Sequence, residues 1–183
     1  LLKPYGKGFT RELEYRPMTA GFLLIAKAKP PEAEPVVRTL RETPRWSKDP
    51  NARIAAAALG DTELEKECEA RFTLTSDPQV KAEAAHTLGL IGTEPALRAL
   101  ASELRTGLVI DKPEAYFKRS VRVDILEALS YNFPDEPALY TTQIHDDSGY
   151  ERAEQFCQKR LGVSWDHPRP PFLTIGGYPL PPR

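Results

Sequence analysis

The tetrapeptide Glu94-Pro95-Ala96-Leu97 returns unchanged as Glu136-Pro137-Ala138-Leu139, and Glu34-Pro35-Val36-Val37 precedes both with the same pattern of residue types. A chain that repeats a helix start repeats a helix. Upstream of Glu94 lies its partner element. Asp77 can accept hydrogen bonds from the free amides of a first helical turn, and Pro78 brings a fixed φ where its missing N–H costs nothing. Val80, Ala84, Leu88 and Ile91 then recur at helical spacing as an apolar stripe, with Lys81 and Glu83 off it. Gly92, with Gly89 before it, permits a tight or left-handed turn, and Leu97, Leu100, Ala101 and Leu104 form a second stripe after Pro95. The predicted product is a helical hairpin over residues 77–104.

Further copies surround it. Asp49-Pro50 opens a segment that closes at Gly60, and its second helix, over residues 62–72, has no proline and carries Glu63, Glu65, Glu67 and Glu69. Val121 and Leu129 keep the spacing of Val80 and Leu88, ahead of Glu136-Pro137. One hairpin cannot bury its apolar face alone, so units recurring at such intervals predict an α-solenoid in which neighbours share a continuous core. About four hairpins fit between Pro17 and His145. In the first of them Ala20, Leu23, Leu24 and Ala28 are expected on the buried stripe, with Phe22 and Ile25 further round, and Lys29-Pro30-Pro31 should end the helix. The interval before Val121 is longer by residues 105–119. Pro113 suits a first turn, and Phe117, Val121, Ile125 and Leu129 follow at i, i+4, which predicts one helix from Pro113 to Tyr131 after a loop over 107–112.

Outside the repeats, residues 1–16 form an expected irregular arm mixing Tyr5, Phe9 and Tyr15 with basic residues. A last amphipathic helix from Tyr150 to Leu161, burying Ala153, Phe156, Cys157 and Leu161, is expected to cap the array. Residues 163–183 hold Trp165, Phe172 and Tyr178 among repeated prolines, a composition for extended polyproline segments. The predicted fold is therefore all-α: an arm over 1–16, a solenoid with its capping helix over 17–162, and a proline-rich tail over 163–183. Both tails are expected to drape over neighbouring subunits.

Charge argues against a polyanion partner, because 25 Lys and Arg face 26 Asp and Glu for a net charge of −1. The longest apolar runs, 20–26 and 54–60, are far shorter than the roughly 20 residues of a membrane-spanning helix. Leu1 in place of an initiator methionine reads as a trimmed or processed start, and the chain as soluble, either cytoplasmic or exported after N-terminal processing. Cys68 and Cys157 lie far apart with no C-x-x-C pair, which leaves a disulfide open and indicates no metal knuckle.

Candidate chemistry is sparse. His145, Asp146, Asp147 and His167 carry metal-ligating groups, but nothing in the spacing fixes their geometry, and Asp and Ser at this point suit the cap of the last helix. His86 is expected as a partly exposed residue between repeats. Cys157 falls on an apolar stripe as a structural thiol, whereas Cys68 sits among glutamates that make it a poor nucleophile. There is no G-x-S-x-G elbow, and no catalytic residue, metal or cofactor is expected.

With its Asp-Pro start, its Val80-Lys81-x-x-Ala84-Ala85-x-x-Leu88-Gly89 run and Ile91-Gly92 before a second helix, the 77–104 unit resembles the HEAT family, in the short bacterial form akin to phycobilisome-lyase repeats. The resemblance implies about four hairpins whose second helices line a concave face, and a non-catalytic scaffold or accessory subunit of a larger complex that binds protein. Outward residues of those helices, Arg38, Arg41, Glu65, Glu69, Arg98 and Glu103, are then candidate partner contacts, together with Trp165, Phe172 and Tyr178 of the tail. It also carries two alternatives: handling of a tetrapyrrole such as a bilin or haem, in lyase-like fashion, and nucleic-acid binding through a basic concave groove.

Overall fold

A computed structural model describes residues 20–44, 46–112, 117–141 and 146–171. They are mostly helical, with a single two-stranded sheet, as the all-α expectation requires at that coarse level. The chain divides into two compact units, Leu1–Glu65 and Lys66–Arg183. The expected arm over 1–16 lies outside the described residues, as do Phe172 and Tyr178.

The first unit contains helix α1 over 20–28, α2 (Ala33–Glu42), α3 (Pro50–Ala58) and the start of α4 (Thr62–Leu74). Lys29, at φ 49°, ends α1 where the two prolines follow, and α2 packs on α3. Asp49 caps α3 by accepting from Asn51 N and Ala52 N, both at 2.9 Å. The buried face of α1 differs from the expected one. Phe22 and Ala26 are buried, whereas Ala20 and Ala28 are exposed and Leu24 is 67% exposed. The cause is Trp46, whose ring meets Phe22 edge-on at 5.7 Å and 63°. Such an aromatic pair contributes about 0.5–1.5 kcal/mol beyond its area, enough to choose between two apolar faces of one helix.

The second unit is built around α5 (Pro78–Ile91), α6 (Glu94–Ser102), α7 (Val121–Ser130) and α8 (Asp147–Leu161). Asp77 caps α5 through Gln79 N and Val80 N, and Gly92 closes it in the left-handed region at φ 59°. The hairpin of α5 and α6 is thus present. Gly89 has a different task from the turn expected of it. It lies inside α5 where that helix packs most extensively, on α7, and a Cβ there would sit 2.7 Å from Ala128 O. Lys81 is also corrected: it is buried, with Nζ 2.7 Å from Glu103 Oε2 and 5.0 Å from the Phe72 ring centre.

Two expected helical stretches are replaced. Val109–Lys112 and Phe117–Ser120 form an antiparallel pair, β1 and β2, with Ile110 opposite Arg119. The single helix from Pro113 to Tyr131 does not form: Pro113 lies outside the described residues, and α7 begins only at Val121, with Ser120 as its cap. β-branched Val109 and Ile110 favour the ladder, and Val121 N extends it by donating to Leu108 O at 3.0 Å. After Glu136 the described residues form a 3-10 turn, Pro137–Leu139, in place of an α-helical start, burying Leu139 against α7 and α8. Tyr140 is extended, and its hydroxyl donates to Pro134 O.

Candidate functional site

The densest polar arrangement gathers residues 163–171 against α6, α7 and α8. At its centre is Glu154, on the inner face of α8 and only 4% exposed. Arg105 reaches it with Nε at 3.1 Å and Nη2 at 2.9 Å, and Arg169 with Nε at 2.9 Å and Nη2 at 2.8 Å. Burial alone would raise the Glu154 carboxyl, but the two guanidinium forks outweigh it and hold the group below the ordinary glutamate value. Arg105 also donates from Nη1 to His167 O at 2.8 Å and stands 4.9 Å above the Trp165 ring, whose indole N–H donates to Ala101 O at 3.1 Å.

Beside it, Arg122 is 1% exposed. Its guanidinium lies 4.0 Å from the Tyr150 ring centre, and its Nε donates to Ser120 Oγ at 3.3 Å. The remaining donors go to main-chain carbonyls, Pro170 O at 3.3 Å and Pro171 O at 2.7 Å. Burial pulls this guanidinium below its ordinary value, with Tyr150, Asp147 and Glu154 opposing, and an arginine so placed remains a cation. Chemically, the arrangement reads peptide carbonyls and one guanidinium.

A second cluster joins α5 to α7. His86 Nε2 lies 3.3 Å from the fully buried Asp124 Oδ1, which also accepts from Arg119 Nη2 at 2.6 Å. Because the carboxylate accepts, neutral His86 donates from Nε2 and can accept at Nδ1 from the Tyr131 hydroxyl, 2.9 Å away. Burial, then the charges of Glu127 and Asp124, raise the Tyr131 phenol, which stays protonated near neutral pH and serves as a donor. His86 is partly exposed, as expected, at 34%, and bridges α5 to α7.

In the first unit, an open cleft of about 300 Å³ is lined by Val37, Ala56 and Leu59 with Glu34, Arg38, Arg41 and Asp61 at its polar edge. Arg38 pairs with Glu34 and Arg41 with Asp61. Arg38 is 72% exposed and Arg98, paired with Glu94 at 2.7 Å, is 57% exposed. The other candidates are less open. Glu65 is turned inward at 8%, Glu69 is half-buried, and Glu103 holds Lys81. Trp165 is engaged within its own chain.

Of the metal-ligating residues considered from sequence, His145 lies outside the described residues, Asp146 caps α8 through Gly149 N at 3.0 Å, and His167 offers its carbonyl to Arg105. No group of three or more ligating side chains occurs among the described residues. Cys68 and Cys157 are not joined in a disulfide. Among the described residues, no helix is long and apolar enough to cross a membrane.

Arg105, Arg122, Glu154 and Arg169 were not singled out from sequence. One signal was available: Arg122 and Asp124 interrupt the otherwise apolar run from Val121 to Leu126. Charges inside a buried stripe need partners, and those partners mark a site. Compared with known proteins, the chain matches no family model, no curated protein and no solved structure.

Proposed function

We propose that this chain is a HEAT-like helical scaffold or accessory subunit, non-catalytic, whose hairpins stack as a solenoid and which binds protein partners within a larger assembly. The packing of α5 on α7, first helices of successive expected hairpins, supports the stacking. One observation carries the binding role: Arg105 and Arg122 donate to three main-chain carbonyls of a non-helical segment, so this helical face already holds polypeptide by its backbone. The exposed arginines of second helices, Arg38 and Arg98, extend the same chemistry outward.

The test is affinity purification of the tagged chain after mild crosslinking, beside an Arg38→Glu, Arg98→Glu variant of unchanged melting temperature. The scaffold reading expects a protein recovered near stoichiometry with the natural chain and reduced about tenfold by the reversed charges. Recovery of nucleic acid or a coloured tetrapyrrole in place of protein overturns it, as does a chain that elutes alone.

A further inference from the structure

Residues 163–171 are held as a bound peptide is held, and we propose that the face formed by α6, α7 and α8 is a receptor for proline-rich peptides of the pattern Trp-x-x-x-Arg-Pro-Pro, the chain's own tail being its resident occupant. The inference rests on the scaffold reading and deepens it by giving the partner's chemistry.

The tail behaves as a ligand in its burial. None of residues 163–171 is buried, whereas two of the groups that hold it, Arg122 and Glu154, are, and the third, Arg105, is only 19% exposed. Those groups belong to the helical body. Arg122 is fixed by the Tyr150 ring and Ser120 Oγ, contacts that the tail does not supply. The helical body itself thus holds the central cation of the face.

Its chemistry selects proline. After a bend at Asp166 and His167, Arg169 and Pro170 each precede a proline, which favours extended backbone. Prolines have no N–H, so the main chain at Pro168, Pro170 and Pro171 offers acceptors only. The face answers these carbonyls with donors: guanidinium N–H groups of Arg105 and Arg122 meet the carbonyls of His167, Pro170 and Pro171.

Two side chains set the register. Trp165 inserts its ring beside Arg105 and donates to Ala101 O, while Arg169 lays both arms of its fork on Glu154. A bidentate arginine on a buried carboxylate and a tryptophan with its N–H satisfied are the kinds of anchor that dominate peptide affinity. The tether places the tail at roughly millimolar effective concentration, so free peptide must compete with it.

A protease sequence inserted between Gly162 and Val163 of the full chain provides the test. After nicking the folded protein, fluorescent peptide of residues 163–171 is titrated and followed by anisotropy. The expected result is saturable binding, weakened about tenfold or more by Trp165→Ala or Arg169→Ala in the peptide, and about tenfold weaker on the chain before nicking. Three outcomes overturn the proposal: a scrambled peptide that binds equally, a nicked chain that keeps its helical circular dichroism yet binds nothing, and loss of that signal on nicking, which would make the tail part of the core. Partners recovered by affinity purification despite such a failure would sink the receptor alone and leave the scaffold standing.

Discussion

The α5–α7 contact and the seat of residues 163–171 lie in the same unit and are made from opposite materials. The first is small and apolar at its centre, with the His86–Asp124 pair to one side: Gly89 packs against Ala128, with Leu88, Ile125 and Leu129 fully buried on its two helices. The second is a set of arginines around one carboxylate and three carbonyls. Close apolar packing gains from every atom removed from water and tolerates no substitute of different shape. A polar seat returns most of its gain as desolvation cost, yet fixes register and chemistry. The contrast assigns stability to one contact and recognition to the other.

The largest effect should come from breaking the apolar contact outright. Leu88→Asp places an unpaired carboxylate in a site of zero exposure, a penalty on the order of 5 kcal/mol or more, which is comparable to a domain's whole stability. The cooperative thermal transition of the second unit should disappear; an unchanged melting curve would remove Leu88 from the core. Gly89→Ala is the finer probe. Its Cβ would meet backbone at Ala128, which cannot swing aside as a side chain can, so about 3 kcal/mol should be lost and the melting temperature should fall by several degrees. A variant as stable as the natural chain would show that α5 and α7 do not approach so closely.

How these two contacts were legible differs in the same way. Asp77-Pro78, Gly92 and the stripe of Ala84, Leu88 and Ile91 announce α5 because capping and helical periodicity are local. The role of Gly89 is hidden, since a glycine in a helix signals close approach only when its neighbour across the interface is known. The pairing of Val109–Lys112 with Phe117–Ser120 is masked by the helical spacing of Phe117, Val121 and Ile125, and spacing cannot show that Ser120 caps a helix beginning one residue later. The polar seat was least visible of all. Arg105, Arg122, Glu154 and Arg169 are spread over 65 positions and are brought together only by the packing of α6, α7 and α8.

Weakening the polar seat should cost less. Glu154→Gln leaves both arginines in place but removes their counter-charge; because each guanidinium is about one-fifth exposed, roughly 2 kcal/mol is expected. The pH dependence separates this from a packing defect. Glu154 is held below the ordinary glutamate value of about 4.3, so its contribution is complete above that value and is lost as pH falls through the lower, folded one. The gap in melting temperature between the natural chain and the variant should hold steady from pH 7 to about 5 and then close on further acidification. A gap that widens in acid would mean that the carboxyl is raised and the forks are not what holds it.

The smallest effect needs no change in stability, and it reports on both contacts at once. Cys157 lies on α8, one turn from Glu154, with no exposure, and burial followed by the Glu154 charge pushes its thiol up to about 12. Alkylation requires a thiolate that a reagent can reach, so the natural chain should leave Cys157 unmodified at pH 8 while the half-buried Cys68 reacts first. Leu88→Asp should open Cys157 to iodoacetamide, because the core that covers α8 is lost with it. Glu154→Gln should not, because a seat distinct from the core releases its tail without uncovering Ala153, Cys157 and Leu161, which are buried on α8. Equal labelling of Cys157 in both variants would mean that the tail is part of that cover, and the division between a contact that folds the unit and one that recognises a peptide would fail.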